Sequence, residues 1–485
     1  MTMEVLVRRR PNIKGKFIVV SNYGWCWNMA VWLKDEGHEA VVYIHEEDYK
    51  HVGDGLVDKV DSLDEVLRSD FRREWILVAD NIGMGRMLDE YRRQGWRVWG
   101  GSSWADRMEK DRGFAMRVFQ YCGIKVPLTY TAQGIQDARN FIQKYPMRWV
   151  LKPHDNKVQV YIADGVEDAL EVLDWWESLG LSSMEIDVQQ FIEGRNIDVE
   201  LWFGNGIPFL PANYDIETKK FMVDDLGMTV GCMSSICWFS YETQPRVIQE
   251  VLLPFAEVVK RVKWTGPASI NIMVEDGTNE LYALELTPRI GYNAYYCLHH
   301  LKNDVGWGEI IWRMCNKEGD EVEVIEGLDD TKFAVGIEVS IPPCPIEHPD
   351  KRFMRRIYDE IAKGVPIWVQ PSGYPAHVHL CDVMKDENGR IVCVGTNGIV
   401  AEVIAVDEDP HAALRKCVET VKMLKIPNKQ ARIRDALDDF DKYYPRWTKQ
   451  NIVPPIVSIP TGNVSPLIAA LPHEFEPISR NFGRF

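Results

Sequence analysis

The chain has 485 residues, 46% of them apolar, and a formal net charge of −16. That length predicts about three domains with a large buried core, and that charge excludes wholesale binding to a nucleic-acid backbone. The basic run "RRRPNIKGK" at Arg8 to Lys16 reads as a solvated terminus as readily as a binding arm. Ten scattered cysteines, Cys26, Cys122 and Cys232 among them, form no CxxC pair and no His/Cys cluster at metal spacing. They predict buried, reduced thiols and a cytoplasmic location. No apolar run reaches the length of a membrane span, and the start lacks the tiers of a signal peptide, so a soluble chain is expected.

From the N-terminus the pattern is strand, helix, strand: "KFIVVSN" (Lys16 to Asn22), a helical "WNMAVWLKDEG" closed by Gly37, then "EAVVYIH" (Glu39 to His45). Further strands follow at "WILVAD" (Trp75 to Asp80) and "WRVWGG" (Trp96 to Gly101). Apolar strands alternating with amphipathic helices predict a parallel sheet, so residues 1–104 read as a Rossmann-like lobe.

"SSWADRMEKDRGFAMRVFQYCGI" carries Ser and Asp cap candidates and a helical run through Met108, Phe114, Val118 and Phe119 that stops near Gly123. "RWVLKPHD" and "KVQVYIA" read as two tightly joined strands, "EDALEVLDWWESLG" as a helix ended by Gly180, and "IDVQQFIEGRNIDVELWF" as strand, hinge and strand. This middle region, 105–330 with a smaller part at about 125–195, is α+β. A mixed α/β unit is expected over 331–441, ending in a helix with an apolar stripe of Ala413, Leu414, Cys417, Val418, Val421 and Leu424. Seven prolines and little periodicity predict that 442–485 is an extended tail lying on the body or docking a partner. The fold class is thus multidomain, α/β and α+β.

"INIMVEDGTNELYALEL" predicts a hairpin turning at Asp276 to Asn279, with Asn271 facing Glu285 to within one residue of register. Side chains two apart share a face, which adds Thr287. A carboxylate, an amide and a hydroxyl together suit Mg2+, which completes its shell with phosphate and water. Arg289 follows, placed to hold an anion through two N–H groups.

On these residues the chain resembles the ATP-grasp enzymes: "ELTPRIG" looks like their E-x-N-P-R-x-G metal-binding end. In order and spacing it is similar to the phosphoribosylamine–glycine ligases through "GGSSWADRMEKDRGFAMRVFQYCGIKVP", "WVLKPHD", "QQFIEGRNIDVELWF", "TGPASINIMVEDGTNELYALELTPRIG" and "VGTNGIVAEVIAVDEDPHAALRKCVETVKML". The resemblance implies an ATP-grasp fold and ATP with Mg2+ as cofactors. It places Lys152 and Arg112 on the nucleotide phosphates. It puts Gln189 at the adenine amino group, the backbone of Gln190 and Ile192 at the ring edge, and Asn196 at the ribose. At Gln189 and Asn196 the family has acids; the amides keep an acceptor oxygen of lower strength. Thr287 stands where the family has an asparagine metal ligand.

The family's glycine-rich phosphate cover is represented by "KPHDNKVQV", without glycine, so Asp155, Asn156 and Lys157 are the side chains expected to stand in. At the substrate end "SNYGWCWNM" retains Gly24 and adds Tyr23, Trp25 and Trp27, which disfavours phosphoribosylamine; the aromatics suit either core packing between lobes or a bulkier or flatter acceptor stacked on the rings. Asp215, Lys219 and Thr229 are the further substrate candidates. The implied activity is ATP-dependent carboxylate–amine ligation through an acyl phosphate, with Lys152, Arg289 and Glu285 at its centre. The second reading is a grasp-fold scaffold that binds a nucleotide or a protein without turnover. A nicotinamide dehydrogenase is disfavoured because no G-x-G-x-x-G follows the first strand.

Overall fold

The computed structural model describes residues 14–456 except 69, 71, 155, 156, 347, 349 and 371. Strands β1 (Lys16–Ser21), β2 (Glu39–Ile44), β3 (Trp75–Ala79) and β4 (Arg97–Trp99) form a parallel sheet of order β2-β1-β3-β4. They are almost wholly apolar because both faces are covered: Phe17 and Val19 join one core, Ile18 and Val20 another. The chain leaves β1 to one side for β2 and to the other for β3, so a crevice opens beyond the carboxyl ends of β1 and β3.

The helical run after residue 101 is two helices, Ser103–Lys110 and Arg112–Tyr121. Asp111 divides them because its side chain accepts the Phe114 N–H at 2.8 Å and so caps the second. Next comes a small antiparallel sheet of β5 (Thr129–Gln133), β6 (Trp149–Pro153), β7 (Tyr161–Ile162) and β8 (Glu185–Gln190), ordered β5-β8-β6-β7. With the helices Ile135–Lys144 and Val166–Ser178 it encloses a core of its own around Trp149, Leu151, Leu173, Trp176 and Val188.

The remaining strands are β9 (Gly194–Gly204), β10 (Ile207–Lys220), β11 (Thr229–Ser240), β12 (Gly266–Glu275), β13 (Leu281–Thr287), β14 (Glu323–Val324), β15 (Phe333–Ser340), β16 (His377–Leu380), β17 (Val383–Lys385), β18 (Ile391–Cys393) and β19 (Ile399–Asp407). All but β17 and β18, which pair with each other, build a nine-stranded sheet of order β13-β12-β9-β10-β11-β15-β19-β16, with β14 on β10. Strands from both sides of residue 331 therefore share one sheet. Period-two alternation sends Val199, Leu201, Tyr214, Ile270 and Leu286 into the main core and turns Asp198, Asp215, Asn271 and Glu285 to the opposite face.

The start of the expected extended tail is a helix, Asp438–Lys449, with Pro445 inside it. Phe440, Tyr443 and Trp447 form its buried stripe, and Ile452 and Val453 beyond it are also buried. This burial outweighs the single backbone bond that proline forgoes. Arg446 donates to Asp276 Oδ1 at 2.8 Å and to Asn279 Oδ1 at 2.9 Å, bracing the β12–β13 turn. Residues 457–485, which carry most of the tail's prolines, and the N-terminal part of the basic run lie outside the described residues. All ten cysteines are free thiols, seven of them buried. Among the described residues no helix is long and apolar enough to cross a membrane.

Candidate functional site

The β12–β13 register sets Asn271 directly opposite Glu285, as the turn chemistry predicts, and Ser269 opposite Thr287. The row continues across the sheet to Asp198 on β9 and Asp215 on β10. Asn271 Nδ2 donates to both oxygens of Asp198, at 3.0 and 2.9 Å, which leaves its Oδ1 as the acceptor turned away from Asp198. Glu217 and Lys219 follow Asp215 along β10, with Lys219 Nζ 3.0 Å from Glu217 Oε2.

Cations from four elements surround Glu285. It is open to solvent, yet enough protein stands around it that desolvation pushes its carboxyl up; Lys219, Lys152, Arg112 and Arg289 outweigh this and carry it below the usual carboxylate range. Lys152 comes from β6, Arg112 from a helix start, Lys219 from β10 and Arg289 from just beyond β13. Desolvation lowers the Lys152 ammonium, with Glu285 acting in the opposite sense. Desolvation also opposes charge on Lys219, but Glu217, Asp198 and Glu285 hold it well above the ordinary lysine range. Burial pushes Asp198 up to about 7 against the pull of Lys219, and burial with Glu217 and Asp198 raises Asp215. The small sheet and the large one thus bring Lys152 and Glu285 within electrostatic reach of each other.

Arg289 meets a carboxylate of the protein itself. Its Nε and Nη2 lie 3.0 and 2.9 Å from Glu109 Oε1. The edge expected to hold a substrate anion is therefore already engaged. Gln189 is buried and its Nε2 donates to Thr129 Oγ1 at 3.0 Å, leaving Oε1 to accept. Gln190 is committed on its N–H side to the Leu128 carbonyl at 2.7 Å, and Ile192 is buried. Asn196 Oδ1 is buried without a hydrogen-bond partner. Lys157 is exposed, whereas Asp155 and Asn156 lie outside the described residues.

At the substrate end, Trp25 packs edge-on against Tyr292 with ring centroids 4.1 Å apart. Gly24 is accounted for by a turn: its φ is +73°, its N–H donates to Ser21 Oγ at 2.7 Å, and a Cβ there would come within 3.0 Å of Ile44 and Val52. Thr229 stays outside the group around Glu285; it is exposed at the start of β11, paired with Lys220 past a β-bulge.

Sequence reasoning missed Asp198, Glu217 and Glu109. The first two were within reach, because Asn196, Asp198 and Glu200 share one face of a strand and Glu217 lies midway between Asp215 and Lys219. Glu109 carried no local signal, being 180 residues from the arginine it holds.

No family model matches the chain. It is 26% identical over 219 residues to phosphoribosylamine–glycine ligase from Helicobacter pylori (strain J99), a match covering 43% of this chain and 49% of that protein. A shorter match, 26% over 113 residues, joins it to D-alanine–D-alanine ligase from Rickettsia canadensis, covering 22% of this chain and 29% of that one. The chain thus spans about half the length, or less, of the curated relatives it matches. Among solved structures it superposes on phosphoribosylamine–glycine ligase from Thermotoga maritima with a TM-score of 0.66 at 19% identity, covering 86% of this chain and 99% of that one. Biotin carboxylase from Campylobacter jejuni gives a TM-score of 0.59 at 13% identity, over 90% and 97% of the two chains. In its lobed architecture the chain has the ATP-grasp fold, and it resembles phosphoribosylamine–glycine ligase.

Proposed function

We propose that the chain is an ATP-dependent ligase that joins a carboxylate to an amine, with an acceptor other than phosphoribosylamine. The observation that carries this reading is the carboxylate of Glu285, paired across the hairpin with Asn271 and ringed by Lys152, Arg112, Lys219 and Arg289. A carboxylate oxygen of one substrate attacks the γ-phosphorus of ATP, and ADP leaves with the electrons of the broken P–O bond. The amine nitrogen then attacks the acyl carbon; phosphate departs, the nitrogen loses a proton, and an amide remains. Lys152 and Arg112 would offset charge on the phosphates, while Arg289, whose Nε and Nη2 are engaged by Glu109, would act on the acyl phosphate through its remaining N–H groups and its field.

The donor set fits Mg2+. Among the described residues no three His, Cys, Asp or Glu side chains converge as a metal cage, but a magnesium ion held between protein and phosphates needs only one or two carboxylates. Glu285, with the Asn271 amide oxygen and the Thr287 hydroxyl beside it, supplies such a set. When bound, the ion neutralises phosphate charge and aligns the transferred group. The relatives' names, phosphoribosylamine–glycine ligase and D-alanine–D-alanine ligase, support carboxylate–amine chemistry.

The test is Mg2+-dependent nucleotide binding and ADP release with pooled amino acids and amines, comparing wild type with Glu285→Gln. Nucleotide binding with ADP release that the substitution abolishes is expected. Absence of nucleotide binding to the wild type would sink the reading. The scaffold alternative, favoured by the amides at Gln189 and Asn196, predicts binding without substrate-dependent ADP release.

A further inference from the structure

The edge strand β16 begins His377, Val378, His379, and alternation puts both imidazoles on the face that meets the helix Tyr292–His300. There His379 Nε2 lies 2.7 Å from His300 Nε2. The His377 ring lies flat on that of His300, with centroids 3.8 Å apart and planes 15° from parallel. A fourth imidazole, His299, is engaged elsewhere: it stacks on Trp32 with centroids 3.6 Å apart, and its Nδ1 accepts from Trp307 Nε1 at 3.2 Å. His377 is exposed and His300 and His379 are half-buried, so solvent reaches the group of three from one side.

Two ring nitrogens this close form a hydrogen bond only if one imidazole donates and the other accepts. Burial lowers His300, with the neighbouring imidazoles and Lys302 acting in the same sense, and burial with His377 lowers His379 to about 3. Both rings are therefore uncharged at neutral pH, the form in which imidazole binds a metal. An ion bonded to each nitrogen at about 2.0–2.1 Å takes the place of the shared proton, and the rings need part by only a few tenths of an ångström. As they stand, no three His, Cys, Asp or Glu side chains converge on one point among the described residues. The third donor is His377, whose exposed ring can turn about its own side-chain bonds. Lys302 acts on His299 and His300, but its charge is matched by Glu36 at 3.1 Å. Glu402 stands directly opposite His379 on β19; burial and Glu338 raise its carboxyl, and a cation nearby favours its ionised form.

We propose that His300, His379 and His377 form a binding site for a divalent metal ion of the late first row, the class of Ni2+, Cu2+ and Zn2+, with water completing its shell. Imidazole suits these ions, whereas Mg2+ takes oxygen donors, so the site differs in chemistry from the group around Glu285. It rests on no part of the ligase reading. An ion there ties the edge strand of the large sheet to the last turn of the helix Tyr292–His300, and so acts as a clip between two elements 79 residues apart in sequence.

Ni2+ is the probe, because it favours imidazole and free thiols do not reduce it. Equilibrium dialysis of the metal-free full chain is expected to show one Ni2+ bound per chain at micromolar free metal, undiminished by millimolar Mg2+. His300→Gln, His379→Gln and His377→Gln are each expected to weaken that binding by about tenfold or more. His377 is exposed, so its variant carries the test if the other two fail to fold. Ni2+ is expected to raise the thermal midpoint of the wild type and to leave that of His377→Gln unmoved, since only an ion bound to the folded chain stabilises it. His411→Gln, at an exposed imidazole paired with Asp441, is expected to bind as the wild type does. No Ni2+ uptake, uptake displaced by Mg2+, uptake unmoved in the folded variants of the three histidines, or an equal loss in His411→Gln would each overturn the proposal.

Discussion

Glu109 grips Arg289 through a single oxygen, Oε1, which receives the guanidinium Nε at 3.0 Å and Nη2 at 2.9 Å. Burial raises the Glu109 carboxyl and Arg289 draws it down. Both side chains are largely shielded, at 19% and 20% exposed, so the bond is worth more than a surface pair. Glu109→Gln keeps an acceptor but removes the charge, which costs about 1–3 kcal/mol of positioning. Substrate-dependent ADP release is expected to fall roughly tenfold or more on that scale, with the Kd for Mg·ATP changed less than about twofold. A variant whose nucleotide affinity collapses while turnover of bound nucleotide is preserved would show that Glu109 serves the nucleotide and not Arg289.

Lys152 comes from β6 of the small sheet, and desolvation lowers its ammonium against the pull of Glu285. The protonated form is the one that attracts phosphate. Affinity for Mg·ATP is therefore expected to decline with rising pH at a lower pH than an ordinary lysine would give. Lys152→Arg should flatten that decline, because a guanidinium stays charged, while Lys152→Ala should weaken binding roughly tenfold at neutral pH. Titration calorimetry across pH 7 to about 10 separates these outcomes. A wild-type profile as flat as the arginine variant's would remove Lys152 from the phosphates.

The hairpin was legible because it is local. Alternation in "INIMVEDGTNELYALEL" and turn residues at Asp276 to Asn279 fix which residues face which, and the observed Asn271–Glu285 pair follows. The parallel sheet was legible for the same reason, each strand and helix carrying its own period. What depends on distant segments was not. Glu109, Asp80 and Asp198 look like ordinary surface acids in one dimension and become neighbours of Arg289 or Asn271 only through the lobes' packing. The helix Asp438–Lys449 was hidden by Pro445, whose local penalty is outweighed by the burial of Phe440, Tyr443 and Trp447.

Glu200, two residues along β9 from Asp198, is 6% exposed and accepts from Trp202 Nε1 at 2.7 Å and Asn213 Nδ2 at 2.8 Å through one oxygen. Burial pushes its carboxyl up to about 7, the two hydrogen bonds opposing. Between the unfolded value and about 7 the folded protein binds more protons than the unfolded one, so stability is lost as pH rises through that window. Glu200→Gln removes the ionisation. The thermal midpoint of the variant relative to wild type is expected to be higher at pH 8 than at pH 4, by a difference on the order of 2 kcal/mol in stability. An equal offset at both pH values would mean that Glu200 is not held in this state.

Gln189 tests whether an amide can do the work of the acid that ATP-grasp relatives carry there. Its Nε2 is committed to Thr129 Oγ1 at 3.0 Å, which orients the amide and leaves Oε1 as an acceptor on the side where the resemblance places the adenine amino group. Guanine presents a carbonyl at the equivalent ring position, which cannot donate to that oxygen. The wild type is therefore expected to prefer ATP over GTP by about tenfold, the worth of one neutral hydrogen bond plus an unpaired acceptor. Gln189→Leu should erase most of that preference by weakening ATP and sparing GTP, while Gln189→Glu should widen it, because an ionised acceptor bonds about twice as strongly. Competition between the two nucleotides for the same protein sample reads the ratio directly. A ratio unmoved by either substitution would place the base elsewhere and leave Lys152, Arg112 and Glu285 as the proposed phosphate end alone.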